Sequence, residues 1–483
     1  MMKKKKQQAQ NPILDDKTAQ LLFMKDAFVD LDFLDVKIQG TLTIEDLVQN
    51  PLTDVGAINE RLTTIGELVA NPDARKRLEA VVDAFVLFGN NYNNNYNKFY
   101  QKAEEYVATQ SADVYSRQRV TDELVNLIEK IATPAWNLPV TLGQIQFKSK
   151  TLSESAYIFN QMMEENGSAR AFFEYVIETN EKIAAIISEK AGNEGISYDQ
   201  LKGLIDMEGL SKFKQAASAV QAIAFAVSPY LVQAEKAVKE KYCEPIIVPR
   251  EENCLTIRNG RNGNWRNSVP NHTYLDSRHS VEILEGVNNG GKTFDMKKAF
   301  YIAIAALSGS WVPADYARVS VRDKIVLRQK GKGDVISAMQ QDCRNVKEAT
   351  PPDGEYWLIG LDETFTSTER RGGRALLYGL INSVLDQGHS LLITSSHYLG
   401  LNSAFGSDGR VAFNHFPFER KKAKGKKIEI VFPYTKRQGQ LKDIKYALEV
   451  AAANGFDKKV IEYAEQRLAQ RKAGEKLLMA FVK

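Results

Sequence analysis

The sequence predicts a multidomain fold: an all-α region, then an α/β domain centred on a parallel sheet, then a helix-turn-helix. Three observations predict it. From about Asp16 to Lys241 apolar residues recur with the helical period of about 3.6, as in "INERLTTIGELVANPDARKRLEAVVDAFVLF". From Tyr242 onward β-branched pairs, prolines and glycines replace that period, and short apolar runs alternate with helical ones. The stretch from Ile444 reads as helix, turn and helix. The expected divisions are a basic tail over 1–15, a helical domain over 16–241, the α/β domain over 242–443 and the helix-turn-helix over 444–483.

Composition allows this and excludes several alternatives. At 483 residues, 43% hydrophobic and 26% charged, the chain is long enough for two or three globular cores and is neither disordered nor membrane-embedded. Its longest apolar runs, such as "AIAFAVSPYLV" from Ala222, are too short to span a bilayer, and Pro229 breaks this one. The basic start "MMKKKKQQAQN" has no apolar region behind it, so no secretory signal is expected and the location is cytoplasmic, or nucleoid-associated in a bacterium. Cys243, Cys254 and Cys343 lack CxxC spacing and read as structural thiols. A net charge of +4 does not announce a nucleic-acid binder. Lys3–Lys6 and "ERKKAKGKK" from Glu419 are each either a solvated segment or a phosphate contact.

In the helical region, "NNYNNNYNKFYQKAEEYV" from Asn90 reads as a loop tip or helix connector, and "ATPAWNLPVTLGQIQ" from Ala132 is the clearest interruption. Past the boundary come "VEILEG", "KKAFYIAIAALSG", "KIVLRQ", "EYWLIGLDE", "ALLYGLINSVLDQG" and "SLLITSSH". Their alternation implies helices on both faces of the sheet. The final pair, "RVAFNHF" with "IEIVFPY", suggests an antiparallel hairpin.

Gly286 to Thr293 spells G-x-x-x-x-G-K-T between the strand "VEIL" and the helix "FDMKKAFYIAIAAL", the context in which this motif cradles phosphate. Backbone N–H groups of Gly286, Asn288, Asn289, Gly290 and Gly291 would face the phosphates, above the positive end of the helix. Lys292 would reach the β- and γ-phosphates of ATP, and the Thr293 hydroxyl would take a place on Mg2+. The apolar strand of "EYWLIGLDE" delivers Asp362 and Glu363 to the same sheet edge. There Asp362 would hold Mg2+ and Glu363 would act as general base. "SLLITSSH" ends at His397. Strand, Asp-Glu, helix, strand, His is the order of the ABC-type ATPases, where the histidine senses the γ-phosphate. In that class a second subunit completes the site, so hydrolysis requires a dimer. The short stretch between Lys292 and Asp362 excludes the chromosome-organising ATPases with their long inserted coiled coil, and the missing "LSGGQ" argues against a transporter subunit.

Together these segments resemble the MutS family of DNA mismatch-repair ATPases. "GVNNGGKT" is similar to that family's GPNMGGKS, keeping Asn288, Gly290, Gly291 and Lys292. "SGSWVPA" from Ser308 resembles GSYVPA, "LDETFTST" from Leu361 resembles MDE...TST, and "TSSHY" from Thr394 resembles ATHY. "YALEVAAANGFDKKVIEYAEQRL" from Tyr446 is similar to the terminal helices that join the family's subunits. "NPLTDVGAINERLTTIGEL" from Asn50 and "KEKYCEPIIVPREENCLTIRNGR" from Lys239 resemble the opening and exit of its helical lever domain, so the likeness runs from about Leu34 to Leu468. It implies a core and lever domain on a dimeric ABC-type ATPase, a homodimer or a heterodimer with a related subunit, that encloses double-stranded or branched DNA and uses ATP and Mg2+.

Departures from the family pattern refine this. The chain starts almost at the lever, so the resemblance implies a short member without the mismatch-recognition and connector domains and with a reduced or absent clamp. Phe172 to Glu174 spells the family's Phe-x-Glu wedge but sits on an apolar helical stretch and reads as core. The family's SGRSTFM signature is "KGKGDVIS" here. Gly333 or Asp334, depending on alignment, takes the place of the serine that contacts the partner's γ-phosphate, and Ser337 is the candidate substitute. Ser268 stands where an adenine-stacking aromatic is expected, leaving Val269 and Tyr434 as contacts for the base. Two functions follow: a DNA-processing ATPase for branched or distorted DNA, or a nucleotide-switched protein-interaction module of a defence or mobile-element system that binds no DNA.

Overall fold

The computed structural model describes residue 13 and residues 51–80, 82, 146–163, 226–262, 268–330, 337–398, 401–422, 428–439, 446–453 and 455–481. The basic tail apart from Ile13, the asparagine-rich stretch, all but the last residue of the Ala132 interruption and the Phe172–Glu174 triplet lie outside them.

Before Lys241 the described elements are helices: α1 (Val55–Ala70), α2 (72–80), α3 (Lys150–Met163) and α4 (226–240). Asp54 caps α1 by accepting from the Ala57 amide at 2.6 Å. Two acids of α1 satisfy the open amides at the start of α3: Glu67 accepts from Ser149 N at 2.8 Å and Glu60 from Thr151 N at 3.1 Å.

Beyond, the strands are β1 (Ile246–Val248), β2 (Leu255–Gly260), β3 (Asn271–Leu275), β4 (Val281–Gly286), β5 (Tyr316–Ser320), β6 (Lys324–Gln329), β7 (Trp357–Asp362), β8 (Leu391–Ser396), β9 (Val411–Phe416), β10 (Glu419–Lys422), β11 (Ile428–Val431) and β12 (Arg437–Gln438). Among them run α5 (Lys292–Leu307), α6 (Ala338–Glu348), α7 (Arg370–Gln387) and the short α8 (Leu401–Phe405), and α9 (Tyr446–Ala453) and α10 (Lys458–Phe481) follow. The main sheet has the order β12-β9-β4-β8-β7-β6, parallel except for β12. A smaller sheet has the order β1-β5-β2-β3.

Every residue of β7 and β8 is buried, as expected of inner parallel strands covered on both faces. Their alternation sorts the core. Leu284, Leu358, Leu391 and Ile393 face α5, whereas Ile283, Ile359, Leu361 and Leu392 face Leu377, Ile381 and Val384 of α7. Helix α5 is buried nearly all round, because its far side packs on Ile257, Leu275 and Val319 of the smaller sheet. Helix α7 is capped by Glu369, which accepts from Arg371 N at 2.7 Å, and stops at Gly388 in a left-handed conformation (φ 72°).

The closing hairpin differs from the expected pair. "RVAFNHF" is β9, parallel to β4 inside the main sheet, and the antiparallel partner of β11 is β10, formed by the first residues of the basic run from Glu419. The core accounts for this: Val411, Phe413 and Phe416 need the cover that only the sheet interior gives.

Helix α1 docks on the carboxyl end of α5. Arg61 Nη1 donates to Ser308 O at 2.8 Å and Leu52 N to Leu307 O at 2.9 Å, satisfying carbonyls that the ending helix leaves open. At the other end of the chain, Phe456, Val460, Tyr463 and Leu468 on and before α10 are exposed.

Candidate nucleotide site

The chain passes from β4 to the far side of the sheet, returns through β6, β7 and β8 to lie beside β4, and then crosses to β9 on the other side. The order thus reverses at the carboxyl end of β4, where α/β folds open a binding crevice. The glycine-rich turn occupies that point. Gly286 (φ 154°) and Gly291 (φ 111°) take backbone conformations that a side chain would strain, and a Cβ on Gly291 would come within 3.1 Å of Tyr434 Cδ1. Asn289 is left-handed (φ 64°), Gly290 N donates back to Val287 O at 3.1 Å, and Asn288 and Asn289 are exposed at the tip. Lys292 opens α5. Its buried ammonium donates to Gly286 O at 2.9 Å and Val287 O at 3.0 Å, so the side chain folds across the turn.

Neighbouring strands bring the acids to it. Thr293 Oγ1 donates to Asp362 Oδ2 at 2.8 Å, and Ser395 Oγ donates to Asp362 Oδ1 at 2.6 Å. Glu363 is left-handed (φ 54°), held there by its amide bond to Ser395 Oγ at 2.9 Å. Glu363 Oε1 lies 2.7 Å from His397 Nε2 and 3.6 Å from Lys292 Nζ, and the imidazole is 3.4 Å from the ammonium. The hydrogen bond from His397, reinforced by the Lys292 charge, holds Glu363 below the usual glutamate range. Burial pulls Lys292 below the usual lysine range, although Glu363 and Asp362 oppose it. The loop after Glu363 is pinned by Asp342 of α6, whose Oδ2 accepts from Phe365 N at 3.1 Å and Ser367 Oγ at 2.7 Å.

The two expected base contacts are linked only indirectly. Asn271 Nδ2 donates to Tyr434 O at 2.9 Å, which ties the segment carrying Tyr434 to the start of β3, two positions after half-buried Val269. Tyr434 stands beside Gly291 and is 46% exposed. Gly333 and Asp334 lie outside the described residues, and Ser337 is the exposed N-cap of α6, accepting from Gln340 N at 3.2 Å.

Sequence reasoning missed Ser395, Asp342 and a buried cluster of Glu282, Asp295, Lys298 and Lys436. One signal for the cluster exists: Asp295 and Lys298 stand three apart, one helical turn, just before the apolar run of the same helix. Among the described residues no group of His, Cys, Asp and Glu has the makeup of a metal cluster, and no helix is long and apolar enough to cross a membrane. A hydroxyl and a carboxylate 2.8 Å apart, Thr293 with Asp362, are nevertheless the hard oxygen donors that suit Mg2+ beside phosphate.

A glycine turn joining a parallel strand to a helix N-terminus at the sheet's switch point, with an acid pair on a nearby strand, defines the architecture of the mononucleotide-site α/β proteins. Comparison with known proteins narrows the class: residues 282–472 match the family model described as MutS domain V. The DNA mismatch repair protein MutS of Carboxydothermus hydrogenoformans is 30% identical over 271 residues, which is 53% of this chain and 30% of that protein. MutS of Halalkalibacterium halodurans is 27% identical over 63% of this chain and 35% of its own length. The DNA mismatch repair protein Msh3 of Mus musculus is 29% identical over 34% of this chain and 16% of its own. The chain thus carries a MutS-family domain over residues 282–472. It spans about a third or less of the length of these relatives.

Proposed function

We propose that the chain is a Mg2+-dependent ATP hydrolase of the ABC type that works as a dimer on branched or distorted DNA, coupling the nucleotide cycle to movement of its helical region. The observation that carries this reading is the convergence of Lys292, Thr293, Asp362, Glu363 and His397 at the carboxyl ends of β4, β7 and β8. Lys292 binds the β- and γ-phosphates by leaving the two loop carbonyls that now hold it. Thr293 and Asp362 would hold Mg2+, whose charge neutralises phosphate oxygens. Glu363 accepts the hydrogen bond of the attacking water. It polarises that water as the general base. His397, now bonded to Glu363, is placed to meet the γ-phosphate. Val269 and Tyr434 flank the base, and Ser337 is the candidate that substitutes for the signature serine in the partner's site.

The test combines nucleotide and DNA binding. Lys292→Ala is expected to abolish ATP binding, while Glu363→Gln keeps ATP bound and loses turnover by about 100-fold or more. Wild-type hydrolysis by Glu363→Gln would remove Glu363 from its role. On a panel of homoduplex, mismatched, branched and single-stranded DNA, binding with ATP should favour branched DNA and weaken steeply with salt. An active ATPase that binds none of these DNAs would instead support the nucleotide-switched protein-interaction module.

A further inference from the structure

Beneath the segment that carries Tyr434 lies a cluster of four charges. Lys436 is 6% exposed, Glu282 of β4 2% and Asp295 of α5 3%. The Lys436 ammonium donates to Glu282 Oε1 and to Asp295 Oδ2, both at 2.8 Å, and Lys298 pairs with the other oxygen of Asp295. Asn414 of β9 donates to Glu282 Oε1 at 2.7 Å, while Glu282 Oε2 is buried with no hydrogen-bond partner among the described residues. Above the charges, Asn271 grips the backbone on both sides of Thr435: its Oδ1 accepts from Lys436 N at 2.8 Å and its Nδ2 donates to Tyr434 O.

Ion pairs of this depth seldom stabilise a fold better than well-packed apolar residues would; what they add is one defined register. Here the register belongs to a short irregular segment whose Tyr434 has an unusual left-handed backbone (φ 55°). The two acids that receive Lys436 come from the strand before the phosphate loop and from the first turn of the helix after it. The lysine therefore references Tyr434 to both flanks of the loop.

We infer that Lys436 is a positioning residue for nucleotide: seated on Glu282 and Asp295, it fixes the 432–437 segment so that the Tyr434 ring stands against the phosphate loop and receives the planar base of a nucleoside triphosphate. This rests on the nucleotide-site reading above. Lys436 touches no substrate and acts through Tyr434, so its loss should cost base contact and leave phosphate contact alone.

The experiment compares dissociation constants for ATP and for inorganic tripolyphosphate, which has no base. The variant is the double substitution Glu282→Gln with Lys436→Met, which keeps the buried cluster neutral overall. ATP binding is expected to weaken about tenfold, the scale of one lost aromatic stacking contact, with tripolyphosphate binding unchanged within about twofold. Asn271→Ser, which frees the backbone without touching the charges, should give the same split, and in a Tyr434→Ala background neither change should weaken ATP binding further. Lys436→Arg should restore ATP binding. Equal weakening of both ligands, no weakening of either, or an undiminished effect without Tyr434 overturns the positioning role. If the unaltered protein binds neither ligand, the nucleotide-site reading falls, and this inference with it.

Discussion

Ser395 holds both acids at the end of β7 at once, through its bond to Asp362 Oδ1 at 2.6 Å and its acceptance of the Glu363 amide at 2.9 Å. A hydrogen bond to a charged group contributes about 1.5–3 kcal/mol, so Ser395→Ala should lower kcat roughly tenfold while ATP affinity changes little. Steady-state kinetics beside equilibrium ATP binding would check this, and an unchanged kcat would refute it. That Asp362, Glu363 and His397 meet at one sheet edge was legible in the sequence because apolar strands lead straight into them. Ser395 was not, since a serine at a strand end resembles any other. Lys436 was hidden for a different reason: in the polar run "TKRQGQ" a lysine looks solvated, and only the fold shows two buried carboxylates beneath it.

Helix α5 and strand β7 show what close packing demands of an element. A Cβ on Gly360 would lie 2.5 Å from Leu327 Cδ1 and 2.7 Å from Phe300 Cζ, so the glycine lets β7 lie under the helix that carries Lys292. Gly360→Ala should destabilise the domain by about 1–3 kcal/mol by overpacking, read as a lower urea midpoint with an unchanged slope. The parallel strands and α5 were legible because their apolar runs and the glycine motif agree. The smaller sheet was not, because prolines and glycines lie between its strands and β5 reaches back across a long stretch of chain to pair with β1 and β2. The β9 assignment failed for a related reason: alternation identifies a strand but does not name its neighbour, and burial of Phe413 and Phe416 decided it.

For the molecule as a whole, the C-terminal helices present apolar side chains to solvent: Val460 and Leu468 lie eight positions apart on α10, with Tyr463 beside that stripe. Read with the dimer proposed above, this stripe is the surface between subunits, and a chain stopped after Asp443 should be a monomer with little ATPase activity by light scattering and phosphate release. A dimer of that shortened chain would sink the proposal. Helix α5 connects the other two parts of the molecule. At 16 residues it is about 24 Å long, with the Lys292 turn at one tip and Arg61 of α1 fastened to the other. In the nucleotide cycle proposed above, a shift of the turn along the helix axis would be carried to α1 through this contact. If nucleotide binding moves the turn in that way, thermodynamic reciprocity requires that a load on α1 alter the hold on nucleotide by the same free energy, and tension in the helical region would then act as a ligand of the site.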